Sequence, residues 1–170
     1  MTGGMISQYV STPSLIIYKD QRYLIMDAPT DANLDEYLKE LKNENVTVLV
    51  RTCEPSYSVE KLTRAGITVK ELPFSDGAPP PTEVVNKWLG IVKDVFEKKG
   101  EKATIAIHCV AGLGRAPVCV AIGLIERGMD PELAIQEIRN KRRGAINRRQ
   151  AKFLFDYKPK NLAQGCCAVM

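Results

Sequence analysis

The stretch from Ala103 to Arg127 constrains the fold more than any other part of this chain. Ala103-Thr104-Ile105-Ala106-Ile107 is a short apolar, β-branched run, the pattern of a buried strand. Ala116 to Arg127 reads as a helix. Between them lies His108-Cys109-Val110-Ala111-Gly112-Leu113-Gly114-Arg115. A strand that enters a helix through a tight glycine-bearing loop builds an anion site. Backbone N–H groups of the loop and first helical turn face inward, and the helix dipole adds partial positive charge. Such a field favours the thiolate of a cysteine at the loop's start, here Cys109. Arg115, six positions on, can hold two phosphate oxygens with its planar fork. Gly112 and Gly114 permit close backbone approach and positive φ.

These groups imply a mechanism. The Cys109 thiolate attacks phosphorus, Arg115 and the loop amides of Val110, Ala111, Gly112, Leu113 and Gly114 hold the equatorial oxygens, and water hydrolyses the cysteinyl-phosphate. The loop supplies the positive field, so neither a metal nor a cofactor is expected. The alternative is a buried, inert cysteine with a structural arginine. His108 is the single histidine of the chain and so cannot belong to a His-rich metal site. It is expected to hydrogen-bond the loop and orient Cys109 rather than act as a base, with a purely structural histidine as the other reading. A leaving alcohol or phenol needs a proton, so a carboxylic acid is expected on a separate loop. Leu72-Pro73-Phe74-Ser75-Asp76-Gly77-Ala78-Pro79-Pro80-Pro81 offers one acid, Asp76, beside a glycine. The plain alternative is a solvated Asp-Gly turn.

His-Cys-Val-Ala-Gly-Leu-Gly-Arg-Ala-Pro, with Pro-Phe-Ser-Asp-Gly-Ala-Pro-Pro upstream and Arg142-Arg143-Gly144-Ala145-Ile146-Asn147 downstream, resembles the phosphatases of regenerating liver (PRL), a prenylated branch of the dual-specificity phosphatases. The resemblance runs from about residue 10 to the C-terminus. It implies Cys109 as nucleophile, Arg115 as phosphate ligand and Asp76 as general acid. It also implies slow turnover: related phosphatases mostly carry Ser or Thr after the arginine, where the hydroxyl assists breakdown of the intermediate, and this chain has Ala116. It pairs the nucleophile with a second, redox-active cysteine that resembles Cys53, at the end of the strand-like run Val46 to Thr52. Ser75 stands where the family commonly has a second acid. The resemblance further implies docking of CNNM-type (cyclin M) magnesium transporters through the active-site face. This second class of function is a switchable binding protein in which a partner's aspartate mimics phosphate over Arg115. A phosphoinositide phosphatase is a third reading, disfavoured by the neutral, apolar loop interior of Val110, Ala111 and Leu113.

The order of elements reads as α/β, a mostly parallel sheet flanked by helices in the dual-specificity phosphatase arrangement. Strands are expected at Ser14–Tyr18, Arg22–Ala28, Val46–Thr52 and Ile67–Leu72, and helices at Leu34–Lys42, Val59–Ala65, Thr82–Lys99, from Pro131, and at Arg148–Tyr157. Thr82 is read as the cap of the third helix and Gly100 as its end. A phosphatase domain is expected over residues 1–157 and a tail over 158–170. The five cysteines (53, 109, 119, 166, 167) without a signal-peptide pattern point to a reducing compartment, with Cys119 as core filler.

Cys167-Ala168-Val169-Met170 is a Cys-aliphatic-aliphatic-X box, and a final Met favours farnesylation of Cys167. Cys166 is a bystander or a palmitoylation site. No apolar run reaches the roughly 18 residues of a membrane span. Residues 141–170 hold eight Lys/Arg (141, 142, 143, 148, 149, 152, 158, 160) against one acid, a net +7, whereas the whole chain is +4. A lipid chain with basic residues beside it suits the anionic inner leaflet of the plasma membrane and endomembranes, with cytoplasm or nucleus expected for the unprenylated form. A solvated basic helix face is the alternative. Nucleic acid is disfavoured, because the basic residues lack interleaved aromatics and these form only 6% of the chain. The expected substrate is a phosphotyrosine protein, with phosphoserine and phosphothreonine left open as further substrates. The oligomeric state is left open, a homo-oligomer among the possibilities.

Overall fold

A computed structural model describes residues 12–98 and 102–160. The elements run β1 (Ser14–Tyr18), β2 (Gln21–Met26), α1 (Leu34–Asn43), β3 (Val46–Arg51), α2 (Glu60–Arg64), β4 (Thr68–Glu71), α3 (Thr82–Lys98), β5 (Thr104–His108), α4 (Arg115–Glu126), α5 (Pro131–Lys141) and α6 (Arg148–Asp156). The sheet order is β1-β2-β5-β3-β4. β1 pairs with β2 antiparallel, and all other neighbours are parallel. The sheet is therefore mostly parallel and flanked by helices, as the alternation of elements predicts.

Period-2 patterning sends alternate side chains to two layers. Tyr23, Ile25, Val50, Ile105 and Ile107 face the larger core, which is built with Val85, Trp88 and Val92 of α3, the apolar side chains of α4 from Ala116 to Ile125, Ile135 and Ile138 of α5 and Leu154 of α6. Leu24, Met26, Leu49 and Ala106 face the other layer, with Leu34, Tyr37 and Leu41 of α1 and Leu62 of α2. A register irregularity against β5 between Val46 and Val48 places these two residues, which share parity, in opposite cores. Every residue of α4 from Arg115 to Ile125 is buried. A helix apolar all round belongs in the centre of a domain, and this one runs directly from the loop after β5.

The strand C-termini share one rim. Thr52 and Cys53 follow β3, the Leu72–Pro81 segment follows β4, and Cys109 follows β5. Such a rim is where open parallel sheets place their ligand sites. One expected cap differs: Val85 N–H donates to Pro81 O at 3.0 Å, so Pro81 holds the N-cap position of α3 and Thr82 is its first helical residue. The expected helix end at Gly100 lies outside the described residues. At α5 the side chain of Asp130 caps the Glu132 N–H with Pro131 in the first turn, as Pro131 led one to expect.

Candidate active site

The loop after β5 is held from outside by its carbonyl groups. Ala28 N–H donates to Val110 O at 2.9 Å, and Ile146 N–H donates to Leu113 O at 2.7 Å. Arg142 donates from Nε to Gly112 O at 2.7 Å and from Nη2 to Ala111 O at 3.1 Å. In a planar trans peptide the N–H points opposite to the C=O. Four successive carbonyls pinned outward therefore turn the N–H groups of Ala111, Gly112, Leu113 and Gly114 toward the loop's centre. That inward ring of donors is what an anion site needs. Gly112 has φ +69°, and a Cβ there would lie 2.6 Å from both Met26 O and Arg142 Nη2. Gly114 differs from expectation: its φ is −126°, so what it provides at the start of α4 is space beside the Gln150 amide rather than a left-handed turn.

Arg142 corrects the reading of the basic end. It is 4% exposed and so is not part of a surface charge cluster. Besides the loop carbonyls it donates to Thr12 O at 3.0 Å and Ser14 Oγ at 3.2 Å. A buried guanidinium needs its donors matched, and the carbonyls of the loop match them. Nothing in the local sequence separates Arg142 from exposed Arg143; only the docking of α5 against β1 does.

Arg115 opens α4 and is 8% exposed. Its Nη1 donates to Thr52 O and Phe74 O, both at 3.3 Å, which ties it to the segments after β3 and β4. Its Nε is buried with no hydrogen-bond partner. The Asp76 carboxylate lies 3.7 Å from that Nε while its side chain is 86% exposed. Cys109 sits at the floor, 3% exposed. Ala116, next after Arg115, is fully buried, and Val110 and Leu113 of the loop are exposed. The structure thus brings Asp76 to Arg115, at the end of the loop that begins with Cys109.

His108 is fully buried. Its Nδ1 lies 3.2 Å from Cys109 O and its Nε2 lies 2.6 Å from the Tyr57 hydroxyl. A carbonyl only accepts, so Nδ1 carries the proton and donates; Nε2 is then bare and accepts from the Tyr57 O–H. Burial pushes the imidazole down from 6.5 to about 4, against the opposing pull of the Cys109 carbonyl, so the ring is neutral. Burial also raises the Tyr57 phenol, which keeps its proton. Arg51 stands over the Tyr57 ring at 5.0 Å and is anchored by Glu71. His108 therefore donates to the backbone carbonyl of Cys109, and Tyr57 sets its tautomer. The sequence reading did not single out Tyr57. Cys53 is buried, with Sγ 3.8 Å from His108 Nδ1. Burial raises its thiol, Arg115 opposes that shift, and Cys109 adds to it. Cys53, Cys109 and Cys119 are free thiols, and burial raises that of Cys119 strongly, as befits core filler. Cys166 and Cys167 lie outside the described residues.

The family model "Polymorphic toxin system, DSP-PTPase phosphatase" matches residues 25–129. The chain is 53% identical over 148 residues to the PRL-1 phosphatase of Drosophila melanogaster, covering 87% of this chain and 84% of that protein. The chain belongs to the PRL family of protein tyrosine phosphatases. This member is also 50% identical over 167 residues to a probable protein tyrosine phosphatase type IVA A of Dictyostelium discoideum, covering 98% of this chain and 99% of that one. Among solved structures, a putative protein tyrosine phosphatase from Leishmania major superposes with a TM-score of 0.79 at 40% identity, covering 87% of this chain and 99% of that chain. The protein is a phosphatase enzyme of the dual-specificity type, and phosphoproteins are its substrate class.

Proposed function

We propose that this PRL-family phosphatase works through a Cys109 cysteinyl-phosphate. Arg115 and the loop amides hold the phosphoryl oxygens, and Asp76 protonates the leaving group. The observation that carries this reading is the buried Nε of Arg115, which has no hydrogen-bond partner and lies 3.7 Å from the Asp76 carboxylate, at the end of the loop that begins with buried Cys109. A buried guanidinium N–H that makes no hydrogen bond is costly unless a ligand accepts it. Ala116 offers no hydroxyl to the departing thiolate, which supports slow hydrolysis of the intermediate. The deciding experiment is Cys109→Ser with a phosphotyrosine peptide. Phosphate release should be abolished while the inhibitory oxyanion tungstate still binds. Undiminished release would remove Cys109 from the mechanism.

A second role is supported by the rim. Val110 is 65% exposed and Leu113 38% exposed, an apolar surround that suits a docked protein partner, such as a CNNM-type transporter, over the same crevice. Cys109→Ser should retain that binding. Membrane targeting is supported by the Cys167-Ala168-Val169-Met170 box and by exposed Arg148, Arg149, Lys158 and Lys160. Among the described residues no helix is long and apolar enough to cross a membrane, so attachment to an inner leaflet would depend on lipid and charge. Cys167→Ser should move the protein from the membrane to the soluble fraction of cells.

A further inference from the structure

We propose that Asn147 and Gln150 form a clamp that couples the Asp76 loop to the phosphate loop, and that they act as positioning residues for Asp76. The inference rests on the reading of Asp76 as general acid.

The clamp begins at the phosphate loop, where Ile146 N–H donates to Leu113 O at 2.7 Å. Ile146 itself has φ +66°, a conformation a β-branched residue adopts only where its surroundings over-determine it. Arg139 provides part of that constraint, donating to Ala145 O at 3.0 Å and Ile146 O at 2.7 Å. The next residue, Asn147, caps α6. Its Oδ1 accepts from Gln150 N–H at 2.8 Å, and Gln150 Oε1 accepts from Asn147 N–H at 3.1 Å. This capping box fixes both amides. With each oxygen committed to a backbone N–H, each NH₂ group has to point away from the helix. Both point at the same target. Asn147 Nδ2 donates to Gly77 O at 3.0 Å, and Gln150 Nε2 donates to Ala78 O at 3.3 Å. These are the two carbonyls immediately after Asp76. They belong to a turn closed by Ala78 N–H to Ser75 O, with Gly77 at φ +73°. Gln150 is fully buried and abuts Gly114 of the phosphate loop.

Asp76 is itself largely in solvent, so its side chain is not placed by packing. Its position over Arg115 depends on where its backbone is held. Arg115 holds Phe74 O before it, and the clamp holds Gly77 O and Ala78 O after it. A general acid must sit within hydrogen-bond reach of the leaving oxygen, and a misplacement of about 1 Å can cost on the order of 10²-fold in rate.

The test uses the full-length protein with Asn147→Asp and Asn147→Ser. Aspartate and serine both keep the cap acceptor for Gln150 N–H. Aspartate has no donor for Gly77 O, and serine is neutral and too short to reach it. kcat/KM is measured for phenyl phosphate, whose leaving group needs a proton, and for 2,4-dinitrophenyl phosphate, whose leaving group does not. Thermal unfolding is followed in parallel. Both variants should lose about tenfold or more on phenyl phosphate and less than about twofold on the dinitrophenyl ester, with melting close to the parent. In an Asp76→Asn background the added loss should vanish. Equal losses on both substrates, no loss, or a loss that persists without Asp76 would each overturn the clamp. If Asp76→Asn shows the leaving-group dependence and the Asn147 variants do not, the clamp alone fails. If Asp76→Asn shows none, the general-acid reading fails and takes the clamp with it.

Discussion

Acidification should destabilise this phosphatase through His108. The imidazole is fully buried and is pushed down from 6.5 to about 4, chiefly by burial. Arg51 pushes it further down, while the Cys109 carbonyl, Glu71 and Asp27 act in the other direction. The folded value is depressed, so the unfolded chain binds a proton that the folded chain refuses. Above about pH 6.5 the ring is neutral in both states and full stability is present. Between pH 6.5 and about 4 the unfolded state gains, and stability falls as pH falls. Each pKa unit of difference is worth about 1.36 kcal/mol, so about 1–2 kcal/mol is lost by pH 5.5 and about 2–3 kcal/mol by pH 4.5. In urea, with a slope of about 2 kcal/mol per molar, the second figure lowers the unfolding midpoint by about 1 M. Other groups titrate in the same window, and the control that isolates the histidine is His108→Gln, which cannot ionise. The measurement is the midpoint at pH 7.5, 5.5 and 4.5 for parent and variant. The parent's decline should exceed the variant's by about the amounts given. Parallel declines would show that His108 is not the group refusing the proton, and the tautomer assigned through Tyr57 would fall with it.

Three further outcomes are expected. Ala116→Ser, at a fully buried position, should raise steady-state turnover and shrink the burst of product expected of the parent; an absent burst and an unchanged rate would place the slow step elsewhere. Gly112→Ala should cost at least about 1–2 kcal/mol from the left-handed backbone alone, because φ is +69° and the new Cβ would press on Met26 O and Arg142; a lower melting temperature with loss of tungstate binding is the readout, and an unperturbed variant would mean the loop is not held as described. Mild peroxide should convert Cys109 to a sulfenic acid, which the Cys53 thiol displaces with release of water to give a disulfide that thiols reverse. Activity should vanish and return in step with that bond on peptide mapping, and a Cys53→Ser variant that inactivates just as reversibly would dismiss Cys53 as the resolving thiol.

Short-range chemistry was legible in the sequence alone. The run from Ala103 to Arg127 determined strand, loop and helix within a few residues of their observed bounds, because apolar periodicity and glycine sterics act over one or two turns of chain. The same locality marked Cys109, Arg115 and Asp76 as candidates and led one to expect that His108 would brace the loop rather than serve as a base. Tertiary structure decided what those groups rest on. Arg142 and Arg143 are neighbours of identical chemistry, yet only Arg142 is buried beneath the loop. Tyr57 reaches His108 from 51 residues away in sequence, and Asn147 reaches Gly77 from 70. Capping is local and so in principle readable at Asn147, but the direction of its spare NH₂ group depends on which loop lies opposite the helix. Periodicity says which face of an element is buried; it does not say which distant side chain completes a buried hydrogen bond. That is settled only when α5 and α6 dock, because donors and acceptors brought there from unrelated parts of the chain must then satisfy one another away from water.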